Sequence, residues 1–260
     1  SLSDRSSVSV FLLVLVDALF GAPGGSDLML PRATLSDLFP QPAYRWLESH
    51  GGRVKLGCRV VALTRTSDAW LVDGERFDAV VLACSAHEAA RLAAPVNATW
   101  ANVAGALKYE PIATVYLRRS TRPLPLAMMA LRADSQRSPA QFVFDLDSLG
   151  VAPSTLAFVV SGAQRWLESG LDHLAEAVAA QAEAVLPSHL ARDATRLVHA
   201  TAERRATFSC VPGLRRPPVV IAPGLMAAGD YVDGPYPATL EGSVRSGVDA
   251  ARRVVEAAGS

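Results

Sequence analysis

The sequence predicts a mixed α/β fold in which short strands combine with a few longer helices. Three stretches indicate it: alternating apolar residues at 53–65, a second series of strand-like segments between 112 and 160, and a closing strand and helix over 225–258. Strands alternate their side chains with a period of two residues, whereas one face of a helix repeats near every 3.6 residues. We therefore expect strands in more than one sheet, with helices beside them.

The composition is that of a folded protein without net charge. Of the 260 residues, 50% are apolar and 19% are charged, with 25 basic and 25 acidic side chains. This length holds one large domain or two ordinary ones. Phosphate binding needs a basic surplus, so no nucleic acid is expected as a partner. The three cysteines lie far apart and form neither a disulfide framework nor a CxxC metal site.

The most apolar stretch runs from Val8 to Phe20. A transmembrane helix needs roughly 20 apolar residues, and this run is shorter and contains Asp17. We interpret it as a buried helix. A secretory signal peptide is the alternative, because Gly21-Ala22-Pro23 follows the run. The expectation is a cytoplasmic protein, and peripheral contact with the inner membrane is left open.

A helix and a long strand are predicted next. The helix covers 40–50, and Gly51-Gly52 is placed to end it. A strand is expected over 53–65, because apolar residues alternate on one face of it. These residues are Val54, Leu56, Cys58, Val60 and Ala62.

A hairpin and two helices follow. Asp73-Gly74 is a hairpin-turn dipeptide, and it separates predicted strands at 69–72 and 77–84. The unbroken apolar run 79–83 is typical of a strand buried on both faces of a sheet. Helices are then predicted at 86–94 and 97–107.

The second half contains the remaining elements. Four segments predict the strands of a second sheet: 112–118, 124–132, 141–145 and 155–160. A helix over 171–186 has an apolar face, and a strand is expected near 196–202. The chain closes with a strand over 225–230 and a helix over 238–258.

The closing unit contains the strongest candidate site. Its apolar strand ends in Gly229-Asp230, and a long helix is predicted to begin at Pro237-Ala238-Thr239. The first turn of a helix has free N–H groups and the positive end of the dipole, which suits an anionic or electron-rich ligand. Gly242 and Gly247 inside the helix indicate close approach of another backbone or of a flat ligand. The alternative is an ordinary strand–helix unit with a Pro/Gly loop.

The segment Ala228-Gly229-Asp230, followed by 237–247, resembles the C-terminal FAD motif of the flavin amine oxidase and phytoene desaturase superfamily. Within it, the chain is most similar to the squalene-associated FAD-dependent desaturases, the hydroxysqualene dehydroxylases. Four further stretches support this narrower assignment: 10–17, 26–32, 35–52 and 204–208. The resemblance covers essentially the whole chain.

The resemblance implies a role for each matching residue. Asp230 would hydrogen-bond the ribityl–pyrophosphate part of FAD, and Gly229 would allow close approach. The helix start at Pro237 and Ala238 would place Thr239 and Leu240 beside the isoalloxazine ring. The backbone of Val60 would pair with adenine. Ala83 and Ser85 would lie near the cofactor where their strand ends. The resemblance assigns no catalytic residue.

One feature of the family is missing. The family opens with a G-x-G-x-x-G loop, and no two glycines of this sequence are separated by one residue. The expected fold is an incomplete FAD-binding Rossmann-like domain interleaved with a substrate domain of a sheet and helices. We assign 1–36 and 96–215 to the substrate domain, and 37–95 and 216–260 to the FAD domain. This chain alone is expected to bind FAD weakly or not at all.

The implied function is FAD-dependent oxidation–reduction of a long isoprenoid. The preferred reaction is reductive dehydroxylation of hydroxysqualene to squalene, with a small apolar isoprenoid as the partner. Carotenoid-type desaturation and amine oxidation are the alternatives, and a non-catalytic fragment is a third. No metal is expected, because the five histidines are scattered without a metal-ligand spacing.

Overall fold

The computed structural model describes residues 27–191 and 197–258, together with Leu12, Leu15, Val16 and Phe20. The chain forms two compact units, each assembled from separated segments. Unit 1 comprises Ser1–Ser26, Gly57–Lys108 and Phe208–Ser260, and unit 2 comprises Asp27–Leu56 and Tyr109–Thr207. The four parts assigned from the sequence, with their cofactor and substrate roles, stay predictions.

The described helices and strands are numbered in chain order. The helices are α1 (Leu35–Leu38), α2 (Pro40–Ser49), α3 (Ala86–Ala93), α4 (Ala98–Gly105), α5 (Gln164–Glu168), α6 (Leu171–Val185) and α7 (Leu240–Ala258). The strands are β1 (Leu63–Arg65), β2 (Trp70–Val72), β3 (Glu75–Phe77), β4 (Val80–Leu82), β5 (Tyr109–Arg118), β6 (Met128–Ala130), β7 (Phe142–Asp145), β8 (Thr155–Ser161), β9 (Leu197–Phe208), β10 (Val220–Ala222) and β11 (Leu225–Ala227).

Unit 1 contains two small sheets. One is the antiparallel sheet β1-β2-β3, and the turn Asp73-Gly74 joins its last two strands. Both turn residues have positive φ, which confirms the predicted hairpin. The other sheet has the order β10-β11-β4. Helix α7 packs on it, because Ala250 is buried against Met226 and Ala228.

Unit 2 is built on one sheet of five strands in the order β6-β7-β8-β5-β9. Seven residues of β5 pair with β8 in antiparallel register, from Ile112 opposite Ser161 to Arg118 opposite Thr155. Helix α6 covers this sheet with Leu174, Val178 and Ala182, which recur every four residues and are fully buried. The four predicted strands of the second sheet and the predicted helix over 171–186 are therefore confirmed, although β6 is shorter than the predicted 124–132 and β9 adds a fifth strand.

The predicted helix over 8–20 lies mostly outside the described residues. The four residues described there are helical, which agrees with the prediction. Leu12, Val16 and Phe20 each expose more than half of their surface. The expectation that the helix is buried is wrong for these three side chains.

The predicted strand over 53–65 is wrong in extent, since only β1 at its end pairs with another strand. The backbone at 60–62 is instead hydrogen-bonded by the side chains of Asp73 and Arg91. Alternation of apolar residues predicts an extended backbone, but it does not show whether a neighbouring strand exists.

The predicted strand over 77–84 is divided between two sheets, because β3 pairs with β2 whereas β4 pairs with β11. Among the described residues β4 is an edge strand, and Val81 is 39% exposed. The expectation that this strand is buried on both faces is therefore wrong for Val81. Three short elements, α1, α5 and β10, were missed.

Asp145 is a buried carboxylate at the end of β7. Its oxygens accept hydrogen bonds from Arg119 Nη1, Leu124 N–H and Ser148 N–H, each at 3.1 Å. Burial raises the pKa of Asp145, but the two amides, the Ser148 side chain and the Arg119 charge together lower it below its ordinary value. Such a carboxylate stabilises the fold above the unfolded-state pKa of about 3.9, and this stabilisation is lost as the pH falls toward the folded-state pKa.

We expect Asp145→Asn to lower the free energy of unfolding by about 3 kcal/mol at pH 7, because Arg119 would lose a fully buried partner. The variant should also lose less stability than the wild type between about pH 4 and pH 2. Urea unfolding at several pH values measures both effects. Asp68→Asn is the control, because Asp68 pairs with Arg76 at 2.9 Å but is 62% exposed. Equal losses for the two variants would contradict this role of Asp145.

Candidate functional site

The candidate site lies where two parallel strands of unit 1 end. Residues 225–227 of β11 pair in register with residues 80–82 of β4. The ladder continues past the strands, because the Ala228 N–H donates to the Leu82 carbonyl oxygen at 3.0 Å. The pairing therefore places residues 83–85 and 228–230 at one edge, here called the carboxyl edge. In open α/β sheets, ligands bind outside the carboxyl ends of the strands.

Gly229 joins the carboxyl edge to helix α7. Its N–H donates to the Ser246 hydroxyl oxygen at 2.9 Å, and that oxygen lies 3.0 Å from the Gly229 carbonyl oxygen. A Cβ atom on Gly229 would lie 2.5 Å from a ring carbon of Tyr231. Any larger residue here would therefore displace the Tyr231 ring or break the hydrogen bond between residue 229 and Ser246.

Asp230 follows as a half-buried acidic side chain at the same edge. Burial raises the pKa of its carboxyl group, and hydrogen bonds from the backbone N–H groups of Tyr231 and Asp230 and the charge of Arg216 oppose this only in part. A carboxylate that is incompletely solvated gains from a further hydrogen-bond donor. A hydroxyl group of a bound ligand would supply such a donor.

The backbone of Asp230 also contacts the segment that begins α7. Its carbonyl oxygen accepts a hydrogen bond from the Ala238 N–H at 3.3 Å. Ala238 has a positive φ of 57°, which turns the chain sharply before the helix. The structure thus brings together four of the residues predicted from the sequence: Asp230, Ala238, Thr239 and Leu240.

The start of α7 differs from the prediction. The helix begins at Leu240, and Pro237 and Ala238 precede it. Thr239 occupies the cap position, because its hydroxyl oxygen accepts from the Gly242 N–H at 3.0 Å and donates to the Tyr236 carbonyl at 2.9 Å. Leu240 is 78% exposed beside this cap. The helix N-terminus is therefore at the carboxyl edge, two or three residues later than predicted.

The two glycines inside α7 have different surroundings. A Cβ atom on Gly242 would lie 2.1 Å from the Tyr236 carbonyl oxygen, so the loop packs directly on the helix backbone. This confirms the expected close approach of another backbone. For Gly247, no described atom lies within 4 Å of an added Cβ. The structure gives no reason for glycine at 247.

Arg216 was not singled out from the sequence, although it organises the loop between β11 and α7. It donates to the carbonyl oxygens of Val232 and Gly234 and pairs with Asp233 at 3.2 Å. Its side chain is only 11% exposed. Arg216 is one of two adjacent arginines in a Pro-rich segment, and no sequence pattern there reveals such partners.

Val60 lies away from the start of α7, in an open cleft of unit 1 with a volume of about 700 Å³. The lining is mostly apolar, with Leu63, Val80 and Ala83 among its residues, and Arg59, Glu88 and Arg91 are its charged members. Ala83 belongs to the carboxyl edge, so this cleft adjoins the edge at β4. The role of Val60 in pairing with adenine stays a prediction.

The described part of the chain contains no group of three or more His, Cys, Asp or Glu side chains that could hold a metal ion. Among the described helices, none is both long and apolar enough to cross a membrane.

Most of the chain matches one protein family. The description of the matching family is flavin containing amine oxidoreductase, and the match covers residues 19–255. The chain belongs to this family. The prediction of an FAD-dependent oxidoreductase from the amine oxidase superfamily is confirmed at the level of the family.

One curated relative is the hydroxysqualene dehydroxylase of Rhodopseudomonas palustris, which is 28% identical over 88% of this chain and 53% of its own length. This agrees with the resemblance found in the sequence. A solved oxidoreductase from Methanosarcina mazei matches with a TM-score of 0.59 and 13% identity, over 80% of this chain and 52% of that one.

Reduced UDP-galactopyranose mutase matches with a TM-score of 0.48 and 14% identity, over 66% and 39% of the two chains. The chain spans about half the length of the curated relative and of the solved oxidoreductase. The likeness to the solved oxidoreductase confirms the predicted α/β fold class.

Gly242→Ala is expected to destabilise this family member by about 1–3 kcal/mol, because its Cβ would clash with the Tyr236 carbonyl. Gly247→Ala is the matched control in the same helix. It should stabilise the protein by up to about 1 kcal/mol, because alanine has the higher helix propensity and the space is open. Thermal unfolding followed by circular dichroism measures both changes, and effects of the same sign would contradict the close contact at Gly242.

Proposed function

We propose that this chain is part of an FAD-dependent oxidoreductase that reductively removes the hydroxyl group of hydroxysqualene to give squalene. The observation that carries the proposal is the similarity to a hydroxysqualene dehydroxylase over 88% of this chain. Family membership supports the flavin chemistry. The isoprenoid partner follows from that relative's substrate. A cytoplasmic location and contact with a membrane surface stay predictions.

The chemistry of the carboxyl edge supports FAD as the cofactor held there. Asp230 offers a partly desolvated carboxylate to a ribityl or ribose hydroxyl group. The close approach expected at Gly229 is made by the Tyr231 ring, so Gly229 supports the edge from within the protein. The N-terminus of α7 at Thr239 and Leu240 supplies a positive dipole end, which would favour an electron-rich flavin edge. The cleft at Val60 would take the adenine half. These contacts rest on the resemblance and on the geometry of this edge.

When bound, reduced FAD supplies the hydride that replaces the hydroxyl group, which takes up a proton and leaves as water. The hydride takes the place of the hydroxyl group on carbon, and the proton completes the departing water molecule. No further reductant takes part in this half-reaction. The contribution of this chain is to hold the cofactor along the carboxyl edge. We assign no residue as the acid that protonates the leaving group.

Relative to the weak FAD binding expected of this chain, Asp230→Asn should raise the dissociation constant of FAD about tenfold or more, because a charged hydrogen-bond acceptor is replaced by a neutral amide. The same change should stabilise the cofactor-free protein above about pH 4. The folded-state pKa of Asp230 is raised, so its ionisation destabilises the fold as the pH rises past the unfolded-state pKa. FAD titration and urea unfolding at pH 7 measure the two effects.

Asp249→Asn is the control for this test, because Asp249 lies on α7 and pairs with Arg253 at 3.1 Å while 44% exposed. It should leave both FAD affinity and stability nearly unchanged. Unchanged FAD affinity in Asp230→Asn would refute the role given to Asp230.

The reaction itself is tested by supplying the flavin-loaded protein with three substrates. Hydroxysqualene with a flavin reductant should give squalene, detected by gas chromatography with mass spectrometry. Phytoene should not be desaturated, and a simple amine should not be oxidised. Amine oxidation without squalene formation would favour the activity named in the family description, and the dehydroxylation proposal would then fall.

A further inference from the structure

The backbone at Val60 is held by a side chain from another element. Arg91 on α3 donates from Nη2 to the Val60 carbonyl oxygen and from Nη1 to the Val61 carbonyl oxygen, each at 2.8 Å. The planar guanidinium group can reach two neighbouring acceptors at once, which an ammonium group does less well. One side chain thus fixes two successive peptide groups of the cleft.

The orientation of Arg91 is fixed in turn by Glu88. Arg91 Nε donates to Glu88 Oε2 at 2.9 Å, and Arg59 Nη2 donates to the other Glu88 oxygen at 3.0 Å. The hydrogen bond from Arg91, followed by the charges of Arg59 and Arg91, lowers the pKa of the Glu88 carboxyl group against the effect of burial. Glu88 therefore stays charged and, by accepting from Arg91 Nε, fixes the guanidinium group whose two other nitrogen atoms reach Val60 and Val61.

The same backbone is held from its other side by Asp73. Its carboxylate accepts from the Val61 N–H at 3.1 Å and from the Ala62 N–H at 2.7 Å. Residues 60–62 belong to no strand, so these bonds take the place of a sheet ladder. Without these bonds the N–H and C=O groups of residues 60–62 would pair with water, and their orientation would no longer be fixed.

Arg91 and Glu88 also line the cleft that contains Val60. We propose that Arg91, oriented by Glu88, is a positioning residue that presents the Val60 peptide group to the adenine half of FAD. This rests on the proposed function, in which Val60 meets adenine. A carbonyl oxygen has two lone pairs, so the bond from Arg91 leaves one for a ligand. Arg91 acts through the Val60 peptide and touches no reacting atom.

The test separates the two halves of the cofactor. In the purified protein, Arg91→Ala should raise the dissociation constants of FAD and of ADP about tenfold, whereas the dissociation constant of FMN, which has no adenine, should not change. Arg91→Lys should recover part of the loss, because an ammonium group can reach one of the two carbonyl oxygens. Flavin fluorescence measures FAD and FMN, and calorimetry measures ADP.

Arg76→Ala is the matched control. Arg76 lies in unit 1 and pairs with Asp68 at 2.9 Å, but it is 58% exposed and does not line the cleft. It should leave all three dissociation constants unchanged. Unchanged binding of FAD and ADP by Arg91→Ala, or an equal loss for FMN, would overturn the positioning role. Wild-type protein that binds FMN but does not bind ADP would overturn the proposed adenine site as well.

Discussion

The parallel pairing of β11 with β4 is the constraint on which the candidate site depends. It joins two segments that are far apart in the sequence, 80–82 and 225–227, and places Ala83 and Gly229 at one edge. Both strands have only three residues, so the ladder alone gives little stability. Helix α7 adds to it by burying Ala250 against Met226 and Ala228. Changes that weaken this packing should reach the carboxyl edge even when they lie far from it in sequence.

Side chains, rather than strand neighbours, fix most of the backbone around the edge. Ser246 holds Gly229, Thr239 caps α7, and Arg216 holds the loop between them. Arg91 does the same for Val60 in the cleft. Each of these contacts contributes about 1 kcal/mol, so single substitutions should alter the site locally without unfolding unit 1.

The sequence predicted the positions of strands and helices better than it predicted which groups hydrogen-bond to their backbones. The hairpin at Asp73-Gly74, the helix α6 and the closing strand and helix follow from turn chemistry and apolar spacing. The missing ladder at 53–62 could not be predicted, because alternation is a property of one strand and pairing depends on a second. Arg91 and Arg216 were missed for a related reason. They donate to backbone carbonyl oxygens, which every residue has, so the residue types of the sequence do not reveal these acceptors.

The central claim is that the carboxyl edge of unit 1 binds FAD. A crystal structure of the protein with bound FAD tests it most directly. We expect the cofactor to lie along the edge, with a ribityl or ribose oxygen about 3 Å from the Asp230 carboxylate, the flavin ring at the N-terminus of α7, and adenine at the Val60 backbone. FAD bound away from residues 83–85 and 228–230 would contradict the account.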